Sequence, residues 1–284
     1  MTPAPLACSV RDCAAPLVHT GTTWRCARGH AFDVARHGYV NLLQPQDRKS
    51  ADAGDSRDAV DARARLDAAG MSATLVDSVA TRIASLSSAA SPLTVVELGC
   101  GTGHLLRTLA QQQPIVGVGL DLSTRAIEVA ARSDRDLQWV VANADRRLPI
   151  VGGSVDLVLS INARRNPAEA SRVLRPGGHL LMAVPAEDDL IELREAVLGA
   201  GVERDRVTTL IADHASGFIV VDRWTTREQH PLDRSMLSDL LAATYRGNRR
   251  SLAHRVQTLD QLTVTRASEL VMLRGRESGN LVIG

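Results

Sequence analysis

The sequence is nearly without lysine: Lys49 is the only one, and arginine supplies the rest of the 33 basic residues in a chain of 284. Clustered arginines favour bidentate contact with phosphate over the point-charge contact that lysine makes. An excess of charge is missing too, because the formal net charge is +1. Bulk charge therefore attracts no polyanion, and any nucleic-acid site must be a local patch. Aromatic residues are 2% of the chain, too few for an extensive base-stacking platform. No apolar run is long enough to cross a bilayer and the N-terminus has no hydrophobic signal core, so the chain reads as cytoplasmic with no membrane partner. Repeats and long low-complexity tracts are absent. The length is enough for one large domain and an accessory module.

Cysteine is scarce but not scattered. Cys8, Cys13 and Cys26 fall in the first 30 residues, with His30 closing the set. Cys8-x4-Cys13 and Cys26-x3-His30 are two short knuckles, each supplying two ligands to one tetrahedral structural zinc ion. His19 and His37 are the alternative ligands. A disulfide does not suit a reducing compartment.

The stretch that organises the chain is Val95-Val96-Glu97-Leu98-Gly99-Cys100-Gly101-Thr102-Gly103-His104. A β-branched run enters three glycines on alternate positions, and a helical pattern follows. Glycine lets a ligand approach the backbone closely. About 20 residues on, a second apolar strand ends at Asp121, where an acid can bind a ribose hydroxyl pair. Glu97 would repel a diphosphate but suits a cationic ligand. The pattern resembles motif I of the S-adenosylmethionine-dependent methyltransferases. That resemblance implies a cofactor site built from Glu97, Gly99, Gly101, Gly103, His104, Leu105, Asp121, Leu122, Ala144 and Asn162. Asn143 is the first choice to hold the adenine, with Asp145 the runner-up.

Strands are expected at 93–98, 115–120, 137–141, 155–160 and 179–184, alternating with helices. This is an α/β, doubly wound, Rossmann-like methyltransferase core. Late extended runs at 218–226 and 261–273 suit an antiparallel hairpin closing the sheet. Residues 58–86 have a helical pattern that breaks at Gly70. The expected organisation is a zinc-binding module over 1–43, a linker and helical segment over 44–92, and the methyltransferase domain over 93–284.

Three segments narrow the resemblance: the cysteine knuckles with GHAFDVARHGYVNLL, then DAGDSRDAVDARARLDAAG, then RVLRPGGHLLMAVP. Together they resemble the 23S rRNA (guanine-N1)-methyltransferases, a family of housekeeping enzymes and relatives conferring macrolide resistance. The resemblance implies methylation of N1 of a guanine in a 23S rRNA hairpin loop, with 23S rRNA or the large ribosomal subunit as partner and a homodimer as the assembly. It also implies that the segment between zinc module and core closes over the site. Asp145 and Asp55 are candidate proton acceptors by proximity to these motifs, and Arg63 and Arg65 join Asp55 as candidates in the closing segment. Arg246, Arg249, Arg250 and Arg255, with Arg25, Arg28 and Arg36, are candidate phosphate contacts, as are Arg164 and Arg165. The Asn-Pro-Pro-Tyr sequence that holds an exocyclic amine in other methyltransferases is absent. Two other readings remain: a small-molecule methyltransferase on the same core, and a cofactor-binding RNA-binding protein without turnover.

Overall fold

The computed structural model describes residues 5–47, 55–86, 91–198, 205–244 and 258–276. The Arg246–Arg255 cluster and Lys49 lie outside them. The N-terminal strands β1 (Leu17–Thr20), β2 (Thr23–Cys26) and β3 (Ala31–Asp33) form a small antiparallel sheet. Then come β4 (Val40–Asn41) and two helices, α1 (Arg57–Ala68) and α2 (Ala73–Ala84), separated at Gly70 as the sequence pattern predicts. The core strands are β5 (Leu93–Leu98), β6 (Ile115–Asp121), β7 (Gln138–Val141), β8 (Val155–Ile161) and β9 (Leu174–Pro185). Helices α3 (His104–Gln112), α4 (Thr124–Ser133) and α5 (Pro167–Val173) connect them. The chain continues through α6 (Ile191–Leu198), α7 (Val207–His214), β10 (Phe218–Asp233), α8 (Arg234–Thr244) and β11 (Gln261–Gly275).

One eight-stranded sheet runs β10-β11-β9-β8-β5-β6-β7-β4. Its strands β9 to β4 pair in parallel, and the β10–β11 hairpin closes it antiparallel to β9. The parallel strands read as almost unbroken apolar runs because both faces are covered. One face is packed by α2, α3 and α4 through Val79, Leu106, Leu109 and Ile127, all fully buried. The opposite face receives the zinc module through Leu6, Leu17 and Trp24.

Three local differences from the sequence expectation have plain causes. Within the expected zinc-module segment, Val40 and Asn41 pair in register with Val140 and Val141 and extend the core sheet by a strand that the sequence pattern does not mark. The Arg175–Gly178 turn is an excursion inside β9: Val155 faces Leu174 and Leu157 faces His179, so these four residues loop out of the ladder. The β10–β11 pairing continues past residue 226 to Asp233.

Of the three motif glycines, Gly103 is demanded by packing. It has φ of 74°, and a Cβ there would sit 2.3 Å from Cη2 of Trp139. That indole is fully buried and donates from Nε1 to the Asp134 carbonyl at 2.8 Å. Gly119 meets the same ring, its Cβ position lying 2.5 Å away. Replacing Gly103 with Ala is expected to destabilise the chain by about 1–3 kcal/mol through overpacking and left-handed strain, measured by urea unfolding. An unchanged midpoint and slope would reject that packing role.

Candidate active site

The parallel strands end on one edge of the sheet, and the chain direction switches between β5 and β8, where an open α/β sheet leaves a crevice. A cleft of about 850 Å³ occupies that place. At its floor the turn after β5 is held by Asp121 at the end of β6. Asp121 Oδ2 accepts from the Gly101 N–H at 2.9 Å, and Oδ1 accepts from the Ser123 N–H at 2.8 Å. Burial pushes the Asp121 carboxyl up, against the pull of these two N–H donors. Ser123 in turn caps α4, its Oγ accepting from Ala126. Gly99 is required for a close approach, since a Cβ there would lie 2.7 Å from that of Ala163 beyond β8.

Glu97 is the unusual group of this floor. It is 4% exposed, and its Oε2 has no hydrogen-bond partner among the described residues. Burial first, then repulsion from Asp121 and Asp67, pushes its carboxyl up to about 8. The folded chain therefore keeps this proton at pH values where the unfolded chain has lost it. The associated stability is present at low pH and declines as pH rises from the ordinary glutamate range toward 8. An unpaired buried carboxyl costs stability unless something pairs with it, and a cation in the cleft would do so. Asp67 on α1 lines the same pocket, accepting from Ser72 Oγ at 2.8 Å and Thr102 Oγ1 at 3.5 Å. Asp67 was not legible in the sequence, where it lies in a helical pattern among other charged residues. This donor set fits S-adenosylmethionine, whose sulfonium and amino group are both cationic.

Of the residues implied for the cofactor, Gly99, Gly101, His104, Leu105, Leu122, Asn143, Ala144 and Asn162 line the cleft with Glu97 and Asp121, whereas Gly103 does not. Asn143 is buried, and its amide is committed at both ends: Nδ2 donates to the Asp47 carbonyl and Oδ1 accepts from the Asp145 N–H, both at 2.9 Å. The Asp145 carboxylate lines the cleft, 4.0 Å from Arg164 Nε. Asp55 pairs with Arg63 at 2.7 Å, and Arg63 also donates to the Ala243 carbonyl at 3.0 Å. Arg65 holds Asp239 of α8 through two bonds of 2.6 and 2.8 Å. α1 and α8 thus pack together beside the cleft.

The other half of the cleft, beyond β8 and β9, was not legible in the sequence apart from Asn162 and Arg164. It is lined by Pro185, Asp189, Arg194, Arg206 and Arg266. Asn162 has φ of 53° and Leu190 has φ of 56°; such left-handed non-glycine residues cost free energy and gather at functional sites.

The four knuckle ligands converge. Their ligand atoms lie within 4.8 Å of one another. Cys13 and Cys26 sulfurs are 3.8 Å apart, and His30 Nδ1 is 3.4 Å from Cys8 Sγ and 3.5 Å from Cys26 Sγ. A tetrahedron with zinc–ligand bonds of about 2.0–2.3 Å has edges of roughly 3.5–3.8 Å, so the residues fit one zinc ion with every position filled by protein. His19 instead stacks on Trp24, ring centroids 4.9 Å apart, and His37 lies against Glu128 at 3.4 Å. Arg28 is tied to the Asp12 carbonyl, while Arg25 and Arg36 are exposed.

Residues 7–51 match the family described as RlmA, N-terminal, and residues 95–178 match the methyltransferase domain family. The chain is 40% identical over 232 residues to the 23S rRNA (guanine748-N1)-methyltransferase of Streptomyces fradiae, covering 81% of each protein. It is 33% identical over 270 residues to a Micromonospora griseorubida protein provisionally named a 23S rRNA (guanine-N1)-methyltransferase, covering 88% of this chain and 90% of that one. A solved protein from the conversion of a disulfide bond into a thioacetal group during echinomycin biosynthesis superposes with a TM-score of 0.50 and 18% identity, over 71% of this chain and 82% of the other. That likeness is one of fold alone.

Metal analysis of the purified chain is expected to give one zinc per chain, and Cys26→Ser to lower both that content and the melting temperature. Full zinc occupancy in Cys26→Ser would show that Cys26 is not a ligand.

Proposed function

Because the chain belongs to the 23S rRNA (guanine-N1)-methyltransferase family, we propose that it methylates N1 of a guanine in a hairpin loop of 23S rRNA, using S-adenosylmethionine. The observation that carries the cofactor half of this reading is the buried Glu97 carboxyl, whose Oε2 has no hydrogen-bond partner among the described residues, facing the cleft beside a glycine turn. A zinc module hydrogen-bonded into the same sheet supports a large substrate, since a small acceptor needs no accessory module.

S-adenosylmethionine, when bound, supplies a methyl group on a positively charged sulfur. Glu97, with Asp67 nearby, is placed to face its cationic end. Asp121 holds the Gly101 loop through one oxygen and keeps acceptor capacity for a ribose hydroxyl. Asn143 is held by two backbone groups, whereas Asp145 offers a carboxylate to the cleft, so we assign the adenine amino group to Asp145. Asn143 then acts by shaping the loop that carries Asp145. Asp55 and Arg63 lie over the glycine turn and help shut out water. We assign both carboxylates to holding the cofactor rather than to proton transfer. A guanine in a loop reaches the cleft at lower cost than a paired one, because it leaves little stacking behind. Arg25 and Arg36 of the zinc module are candidates for phosphate contact. Ribosomal RNA as substrate places the chain in the cytoplasm, acting on free 23S rRNA or on the large subunit, and a homodimer is the proposed assembly.

Primer extension across 23S rRNA treated with the protein tests the reading. Methylation at N1 blocks the Watson–Crick edge, so reverse transcriptase should stop beside one loop guanine only when S-adenosylmethionine is present. No stop on naked rRNA or on large subunits would reject guanine-N1 methylation.

Glu97 generates a second prediction. The cationic cofactor favours the ionised carboxylate, so binding near pH 7 should release close to one proton. Calorimetry in two buffers of different ionisation enthalpy measures this. Glu97→Gln should abolish the release and weaken binding by about 10- to 100-fold, the worth of a hydrogen bond to a charged group. Equal proton release from both proteins would assign the titration to another residue.

A further inference from the structure

Removal of the N1 proton is what guanine methylation demands most of the protein, because N1 has no free lone pair in the neutral base. A group that accepts it must line the acceptor half of the cleft, beyond β8 and β9, and keep one oxygen free. Asp145 and Asp55 lie over the ends of the cofactor strands. Asp189 lines the cleft beyond β9. Its side chain is 11% exposed. Its Oδ1 accepts from the Ala267 N–H at 2.9 Å and from Arg266 Nε at 3.3 Å. Oδ2 takes no hydrogen bond from any described residue. From Asp189 Oδ2, Arg266 and the guanine edge we infer that Asp189 is the catalytic residue that removes the N1 proton, with Arg266 facing O6; this rests on the guanine-N1 reading above.

The chemistry closes. Asp189 Oδ2 takes the N1 proton, and the N–H electron pair stays on N1 to form the bond to the methyl carbon. The carbon–sulfur pair leaves with the neutral thioether. Deprotonation places negative charge on O6, where a fixed guanidinium stabilises it. The same pair selects the base: a carboxylate and a cationic donor match the N1–H and O6 of guanine, whereas adenine offers an acceptor at N1 and a donor at N6.

The surroundings hold Asp189 in place. Leu190, at φ 56°, donates its N–H to the Thr265 carbonyl at 2.7 Å. Glu192 grips the same residue, accepting from the Thr265 N–H at 2.8 Å and from its Oγ1 at 2.6 Å. This clamp fixes the Asp189–Leu190 turn against β11. The charged groups facing Asp189 are Arg266 from β11 and Arg194 from α6, with Arg206 across the cleft donating to the Pro185 carbonyl. Burial pushes the Asp189 carboxyl up against the pull of Arg266, the Ala267 N–H and Arg194, making it a stronger base than an ordinary aspartate.

The test compares wild type, Asp189→Asn and Arg266→Gln in single-turnover methylation from acid to alkaline pH. Asp189→Asn should lower the neutral-pH rate by about 100-fold or more, while its cofactor and RNA affinities stay within about 3-fold of wild type and its melting is cooperative. Its rate should then climb about tenfold per pH unit, as guanine itself begins to ionise. Arg266→Gln should shift the acidic limb of the rate profile upward, because a cation that favours the Asp189 carboxylate is gone; this readout stands even if Asp189→Asn does not fold. Wild-type N1 methylation with a neutral-pH rate in Asp189→Asn within about 3-fold of wild type overturns the assignment and leaves the guanine-N1 reading standing. An unmoved limb in Arg266→Gln also overturns it. No N1 methylation by the wild type rejects both.

Discussion

The Asp121 carboxylate fixes the relation between the two loops that make the site possible. One of its oxygens holds the Gly101 N–H beyond β5, the other holds the Ser123 N–H that starts α4. The parallel register of β5 with β6 brings those loops side by side, since Leu98 faces Leu120. With the turn pinned, Gly99 can meet Ala163 of the neighbouring loop and Glu97 faces inward with one oxygen, Oε2, lacking a hydrogen-bond partner among the described residues. The apolar packing on both faces keeps the strands in that register. The site therefore stores an uncompensated carboxyl that a rigid scaffold can hold and a mobile loop could not.

Much of the sheet was legible because its parallel strands are apolar runs bounded by glycine and acidic residues, and because the glycine turn marks where the first ends. The zinc ligands were legible for a similar reason: tetrahedral chemistry imposes short spacings on a chain that must return to one ion. What escaped was set by tertiary distance. Asp67 looks like one more charge on a solvated helix until α1 is laid over the glycine turn. Asp189 looks like part of a helix start until β11 runs beside it. Asn143 lines the cleft as its place after a strand end suggests, but that its amide also bonds the Asp47 carbonyl and the Asp145 N–H could not be read from spacing. Gly103 reads as a cofactor glycine, and only the buried Trp139 ring shows that packing, together with its positive φ, also requires it.

The cleft divides by charge as well as by strand. Carboxyl groups of Glu97, Asp67 and Asp121 gather at the end meant for a cation, while Arg164, Arg194, Arg206 and Arg266 line the end beyond β8 and β9. A near-neutral chain thus concentrates carboxyl groups toward one end of the crevice and guanidinium groups toward the other, with Arg63 and Asp189 as the exceptions. That separation suits a reaction joining a cationic donor to a polyanionic acceptor, and it orients the two before either makes a specific contact.

The two-residue strand β4 carries a consequence larger than its size. It fastens the metal module to the edge of the sheet beside β7, with the Leu42 N–H donating to the Val141 carbonyl and Asn143 Nδ2 donating to Asp47. The residues that follow β7, Ala142 to Asp145, line the cleft. The metal module and the loop after β7 are thus joined by hydrogen bonds through one short strand, so the position of that loop depends on the fold of the module.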